Sequence, residues 1–111
     1  MPRCTLYRKR ATLLAGRINA FGARPIFVTQ MRGDSFLVDG RMLVRNDGAL
    51  NERLALTMFN QVTMAACREA GGICIDLGKE LLFAPEDFDD NVHQMPSGSR
   101  KIGEFLAAPL G

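Results

Sequence analysis

The sequence predicts an α/β fold built on a parallel sheet. Three observations carry that prediction. Two short apolar runs, residues 25–30 and 73–77, have the length and the Ile/Val content of strands. Each follows a longer amphipathic stretch that stops at glycine, and a strand entered from a helix suits a parallel arrangement. A third amphipathic stretch closes the chain.

Residues 4–21 read as a helix with Leu6, Leu13, Leu14, Ile18 and Phe21 on one side and arginines on the other, ended by Gly22. Arg3, Arg10 and Arg17 recur every seven residues, the spacing of a solvated helix face. Pro25-Ile26-Phe27-Val28-Thr29-Gln30 is nearly continuous in apolar character with a proline at its start, as a strand buried on both faces would be. In an open α/β sheet ligands gather beyond the carboxyl ends of the strands, so Thr29 and Gln30 are candidate substrate-binding residues. Residues 31–48 interleave Gly33, Gly40 and Gly48 with Asp34, Asp39, Asn46 and Asp47. The expectation is a long connection with room for a short hairpin, overhanging the substrate side of the sheet.

From Leu50 the positions Leu54, Met58, Val62 and Ala65 recur at helical spacing until Gly71-Gly72 break the pattern. Residues 73–77 then give a second buried strand, and Asp76 is placed to cap a short turn over residues 77–82. Residues 83–95 form an acidic loop containing Glu86, Asp87, Asp89 and Asp90. The last helix spans residues 96–108, with Pro96 at its first position and Ile102, Phe105 and Leu106 on its apolar face.

The totals bound what such a chain does. It has 111 residues, 47% apolar and 23% charged, so residues 1–111 read as a single domain or part of one, with no sign of disorder or repeats. Ten basic residues face four acidic ones before position 56, and four face eight after it, so the two halves attract. Without aromatic interleaving or a binding motif the basic half does not imply nucleic-acid partners, and no glycine-rich phosphate loop follows either strand. No uninterrupted apolar stretch indicates a signal peptide or a membrane span. Cys4, Cys67 and Cys74 are odd in number, lack CxxC spacing and have one histidine for company, which implies no zinc site and suggests reduced thiols in a cytoplasmic protein.

That histidine is the chemical centre of the sequence. Asp90-Asn91-Val92-His93 puts an acid three residues before the sole imidazole, just ahead of the last helix. A carboxylate on one ring nitrogen fixes the tautomer and leaves the other free to take a proton from a serine hydroxyl, which is the base half of a nucleophilic triad.

The stretch resembles the C-terminal signature of the SGNH hydrolases, the GDSL-type lipases and esterases, in which a final Asp-x-x-His lies on a loop before the last helix and a nearby glycine, here Gly98, opens that helix. The resemblance extends over nearly the whole chain. Residues 25–30 look like the family's penultimate strand, Phe59-Asn60 lies in its next helix, and residues 73–77 resemble its last strand. It implies the C-terminal part of a flavodoxin-like three-layer sandwich, about two core strands with flanking helices. It also implies His93 as general base and Asp90 as its orienting acid, with neither metal nor organic cofactor, acting on a small acyl ester.

In that family a Gly-Asp-Ser at an earlier strand end supplies the nucleophile, and a glycine amide and the asparagine of a Gly-x-Asn-Asp segment complete the oxyanion hole. The resemblance places this chain after all of them. Gly33-Asp34-Ser35-Phe36 does spell the tripeptide, and Arg45-Asn46-Asp47 resembles the oxyanion segment with Val44 in place of its glycine. A compact triad would make Ser35 the nucleophile and Asn46 an oxyanion donor. Against it, Ser35 lies several residues past the apolar run, Asn46 follows too soon for an intervening helix and strand, and Gly-Asp-Ser is ordinary turn chemistry. The expectation is a base and its orienter without activity alone, in a chain that could pair with itself, swap elements into a dimer, associate with a complementing N-terminal half or be the remnant of a truncated gene. The alternative is a non-catalytic α/β interaction module that forms a homodimer through an exposed sheet edge and helix faces.

Overall fold

The structure, a computed structural model, describes residues 2–90 and 92–110, and of residues 2–4 the backbone alone. Helix α1 (Pro2–Ala20) leads to strand β1 (Ile26–Val28). The hairpin β2 (Ser35–Val38) and β3 (Arg41–Val44) follows, then helix α2 (Ala49–Glu69). Strand β4 (Ile73–Ile75), a one-turn helix α3 (Leu77–Glu80), a 3-10 turn (Pro85–Asp87) and helix α4 (Pro96–Leu110) complete the chain. The fold is mixed α/β.

β1 and β4 pair in parallel with Ile26 opposite Ile73, Phe27 opposite Cys74 and Val28 opposite Ile75. The expected parallel pair exists, but each strand is three residues long and Ile26 is 47% exposed. Among the described residues no third strand pairs with either edge of this sheet, so the run that reads as doubly buried has cover over only part of its surface. Asp76 and Leu77 were expected to extend β4; instead Asp76 precedes α3 and Leu77 starts it.

The connection over residues 31–48 is a folded hairpin rather than an overhanging loop. β2 and β3 are antiparallel with Ser35 opposite Val44 and Val38 opposite Arg41. The two-residue turn between them is Asp39-Gly40, both at positive φ (50° and 77°), the backbone that matches the twist of a tight hairpin. Phe36 is fully buried and packs with Leu77, Phe83 and Phe88 in the core, and Val28, Ile102, Phe105 and Leu106 close around them. The hairpin therefore underlies the loop before α4. The Arg45 guanidinium fastens the two together by donating to the carbonyls of Pro85 and Phe88.

Both long helices form where the periodicity puts them, and both turn a different face inward. On α1 it is Ala15, with Ala11 and Ile18 beside it, while Leu6, Leu13, Leu14 and Phe21 are exposed. Small residues allow α1 to lie close against α2, where the Tyr7 ring meets Phe59 edge-on at 5.1 Å and its hydroxyl bonds Thr63 Oγ1 at 2.6 Å. On α2 the buried positions are Ala49, Thr63, Met64, Ala66 and Cys67, while Leu50, Leu54 and Met58 of the predicted stripe face outward.

The reduced-thiol expectation is overturned for two of the three cysteines. Cys67 and Cys74 form a disulfide with Cα atoms 5.9 Å apart, joining the last turn of α2 to β4. The Gly71-Gly72 turn makes this geometry available, with Gly71 at φ 68°, and a side chain at Gly72 would press on the Pro25 carbonyl and Cys67 Sγ. The Cys4 thiol and the Arg3 side chain lie outside the described residues. No described helix is long and apolar enough to cross a membrane.

Candidate active site

The loop from the 3-10 turn to α4 is a closed, braced structure. The Asp87 carbonyl accepts the Met95 amide (2.8 Å), the Asp89 amide donates to the His93 carbonyl (2.8 Å), and Phe88 and Gln94 pair as an antiparallel bridge. Residues 88–89 and 93–94 thus pair as the two arms of a miniature hairpin, with Asp90 next to its tip. The Asp87 side chain anchors its base. One oxygen accepts Ser97 Oγ (2.7 Å), and the other accepts the Ala84 amide (2.8 Å) and Lys101 Nζ (2.5 Å). Burial pushes the Asp87 carboxyl up, and the Ala84 amide, Lys101 and Ser97 outweigh it, leaving the group below the ordinary carboxylate value.

Asp90 organises the tip. Its Oδ1 accepts the backbone amides of Val92 (2.8 Å) and His93 (2.7 Å), and its Oδ2 lies 2.7 Å from His93 Nδ1. The two amides, then the His93 ring, hold the carboxyl down to about 2. The Asp90 hydrogen bond in turn raises His93 above its ordinary value. With Nδ1 committed to Asp90, the proton-accepting position is Nε2, on a ring whose side chain is 74% exposed. The structure brings Asp90 and His93 together in the geometry an orienting acid and a general base require.

Gly33-Asp34-Ser35 runs beneath this loop. A Cβ at Gly33 would collide with the Asp90 carbonyl and the Phe88 ring, so the close approach of the two segments depends on glycine there. Asp34 is buried and takes both Nε (3.2 Å) and Nη2 (3.0 Å) of Arg32 on one oxygen, while the other makes no hydrogen bond among the described residues. Ser35 begins β2 and is 1% exposed, and its Oγ accepts Arg53 Nη1 at 3.3 Å. The tripeptide therefore lies beside the Asp90 loop, yet its hydroxyl is directed to α2 rather than to the imidazole. Asn46 is exposed at the junction of β3 and α2, where its carbonyl accepts the Ala49 amide.

Thr29 and Gln30 stand at the carboxyl end of β1, as expected, and both line a cleft of about 320 Å³. Phe83, Phe88 and Ile102 give it an apolar wall, and Val92 and Gln94, the neighbours of His93, reach its rim. Thr29 is buried, its hydroxyl donating to Asp76 Oδ1 and accepting the Gly78 amide, both at 2.8 Å. It ties the ends of the two parallel strands together. Asp76 occupies the residue before α3 without capping it through its side chain, because that carboxylate is engaged by Thr29.

Asn60, Asp87 and Arg53 were not singled out by the sequence as site residues. Asn60 clamps the Gln30 backbone, its Oδ1 accepting the amide (3.3 Å) and its Nδ2 donating to the carbonyl (2.8 Å). A side chain at Gly78 would strike that clamp. The one signal, for Asp87 alone, is indirect: Ser97 and Lys101 sit four apart on α4 with Gly98 between them, marking the face on which a buried acid rests.

Among the described residues no group of three or more His, Cys, Asp or Glu side chains is placed to hold a metal ion. Comparison of the chain with protein-family models, with curated proteins and with solved structures gives no match.

Proposed function

We propose that this chain carries the general base and orienting acid of a serine-type acyl-ester hydrolase of the SGNH/GDSL kind, on the C-terminal part of a flavodoxin-like sandwich. The observation that supports it is the Asp90–His93 pair, a carboxylate on Nδ1 at 2.7 Å fixed by two backbone amides on a loop braced through Asp87. In the reaction a serine oxygen attacks the ester carbonyl as its proton passes to His93 Nε2. The imidazolium, stabilised by Asp90, then protonates the departing alcohol, and water repeats the sequence on the acyl-enzyme. The nucleophile and oxyanion donors come from outside the described residues, because Ser35 is buried and its hydroxyl held by Arg53. The apolar cleft beside the loop suits a small acyl group.

The test is hydrolysis of a short-chain activated ester by the purified chain, with His93→Ala and Ser35→Ala assayed in parallel. No turnover beyond the slow reaction of an activated ester with the accessible His93 imidazole, lost in His93→Ala and indifferent to Ser35→Ala, is the expected result for a base without its nucleophile. Equal loss in both variants would make Ser35 the nucleophile and the triad compact, and a rate indifferent to His93 would remove the base.

A second reading, a non-catalytic module that self-associates, is favoured by one observation. Leucines along α1 and α2 stay exposed and the two-stranded sheet has uncovered edges. As to compartment, the Cys67–Cys74 bond is of a kind that oxidising surroundings preserve, which weighs against the cytoplasmic expectation.

A further inference from the structure

The cleft at the carboxyl end of β1 adjoins a smaller inner pocket of about 30 Å³, with Gln30, Met31, Arg32 and Leu56 lining both. Two arginines line that inner pocket. Arg32 enters from the segment after β1 and Arg53 from the second turn of α2, and their anchors are consecutive residues, Asp34 for Arg32 and Ser35 for Arg53. Anchors one residue apart, around a space of this size, bring the two cations to one place.

Both keep donors in reserve. Arg32 gives Nε (3.2 Å) and Nη2 (3.0 Å) to a single oxygen of Asp34, and Arg53 gives only Nη1, to the Ser35 carbonyl (3.4 Å) and hydroxyl (3.3 Å). Among the described residues Nη1 of Arg32 and Nε and Nη2 of Arg53 make no hydrogen bond. The buried Asp34 carboxylate answers the charge of Arg32, whereas Arg53 meets no carboxylate in an ion pair among those residues. No described Asp or Glu lines the cleft or the inner pocket, and Glu52 acts on Arg32 only through space, from an exposed position on α2. One positive charge is left over, which suits a monoanion. The adjoining cleft has Leu77, Phe83, Phe88 and Ile102 in its wall, and at about 320 Å³ it falls within the range of small-molecule sites.

We propose that the cleft and its inner pocket together bind an organic monocarboxylate, its carboxylate between Arg32 and Arg53 and its apolar body along Phe83, Phe88 and Ile102. Planar guanidinium groups suit this task because they offer paired donors to carboxylate oxygens. Asp34 holds Arg32 in place before the ligand arrives, so less side-chain freedom is lost on binding. Burial of the apolar body supplies the rest of the affinity, which sets the ligand apart from a free inorganic anion. The inference uses the same cleft as the hydrolase reading but not the chemistry of His93, and its test reads binding with no ester present.

The experiment is a titration of the full chain with hexanoate, hexanamide, acetate and hexyl phosphate, followed by amide chemical shifts. Saturable shifts centred on Met31, Arg32 and Leu56 are expected with hexanoate. Hexanamide keeps the shape without the charge, and acetate keeps the charge without the apolar body. Each binds at least about tenfold more weakly, since a charge-assisted hydrogen bond, or a pair of buried methylenes, is worth about a factor of ten or more. Arg53→Gln, whose amide retains a donor toward Ser35, loses a similar factor for hexanoate, while Arg100→Gln removes a charge on α4 and leaves binding unchanged. The ligand comparison uses the unaltered chain and decides the matter even where a variant unfolds. Absence of saturation, equal affinity for hexanoate and hexanamide, or equal loss in the two variants would overturn the proposal. Tighter binding of hexyl phosphate would assign the pocket to a dianion, and acetate matching hexanoate would reduce it to a free-anion site; either overturns the monocarboxylate.

Discussion

Asp90 is a surface residue whose carboxylate is nonetheless fully engaged, and that engagement sets the pH behaviour of its loop. Its folded pKa of about 2 lies below the ordinary value, so what it contributes is present above about pH 4 and fades as pH falls toward 2. His93 is displaced upward, so its contribution is complete below its ordinary value of about 6.5 and fades as pH rises through the raised one. The pair is therefore held together most firmly between about pH 4 and 6.5. Asp90→Asn is expected to bring the His93 titration, followed by its ring proton shifts, down toward the ordinary value, because both the hydrogen bond and the negative charge are lost. An unchanged midpoint would mean the imidazole is solvated independently of Asp90. Ser35 shows the opposite case at the same scale: a residue with the right neighbours in sequence, whose hydroxyl is held by Arg53.

At the scale of elements, the loop is positioned by what it rests on. Gly98 lies in the first turn of α4, where a Cβ would meet the Asp87 carbonyl and its Cβ. Gly98→Ala must therefore push α4 and the base of the loop apart, weakening the Ser97 and Lys101 bonds to Asp87 together. Overpacking of this kind costs about 1–3 kcal/mol, measurable as a lower urea midpoint at unchanged m-value. The same variant is expected to speed exchange of the Met95 amide, which bonds the Asp87 carbonyl. Stability equal to that of the parent chain would show that α4 can shift without disturbing the loop. The disulfide acts at this scale as well, fixing the end of α2 against β4 and with it the end of the parallel pair.

For the molecule as a whole, the unusual feature is how much apolar surface its long helices leave uncovered. Leu13 is 63% exposed, Leu54 64% and Phe21, in the turn after α1, 91%. Each leucine fully covered by a partner contributes about 1.5–3 kcal/mol, so modest coverage suffices for association. Sedimentation is expected to show twice the monomer mass at high concentration, and Leu13→Lys/Leu54→Lys to return the chain to a monomer. A monomer at every concentration would exclude self-association through these faces.

The helices, the glycines that end them and the two parallel strands were legible because periodicity and punctuation are local properties of the chain. The Asp90–His93 pair was legible for the same reason, since three residues separate its members and one turn of backbone brings them together. Which helix face turns inward was not legible: on α1 a small Ala15 lets the helices approach closely, and that advantage outweighs the larger leucines on the other side. Neither was the hairpin over residues 35–44 resolved beyond room for a short one within residues 31–48, because its register depends on Phe36 reaching a core assembled from distant segments. The Cys67–Cys74 bond and the Asn60 clamp depend on how elements meet, and only tertiary structure decides that. Local sequence determines which elements can form, whereas contacts between residues far apart in the chain decide which of their faces, and which of their side chains, remain available for chemistry.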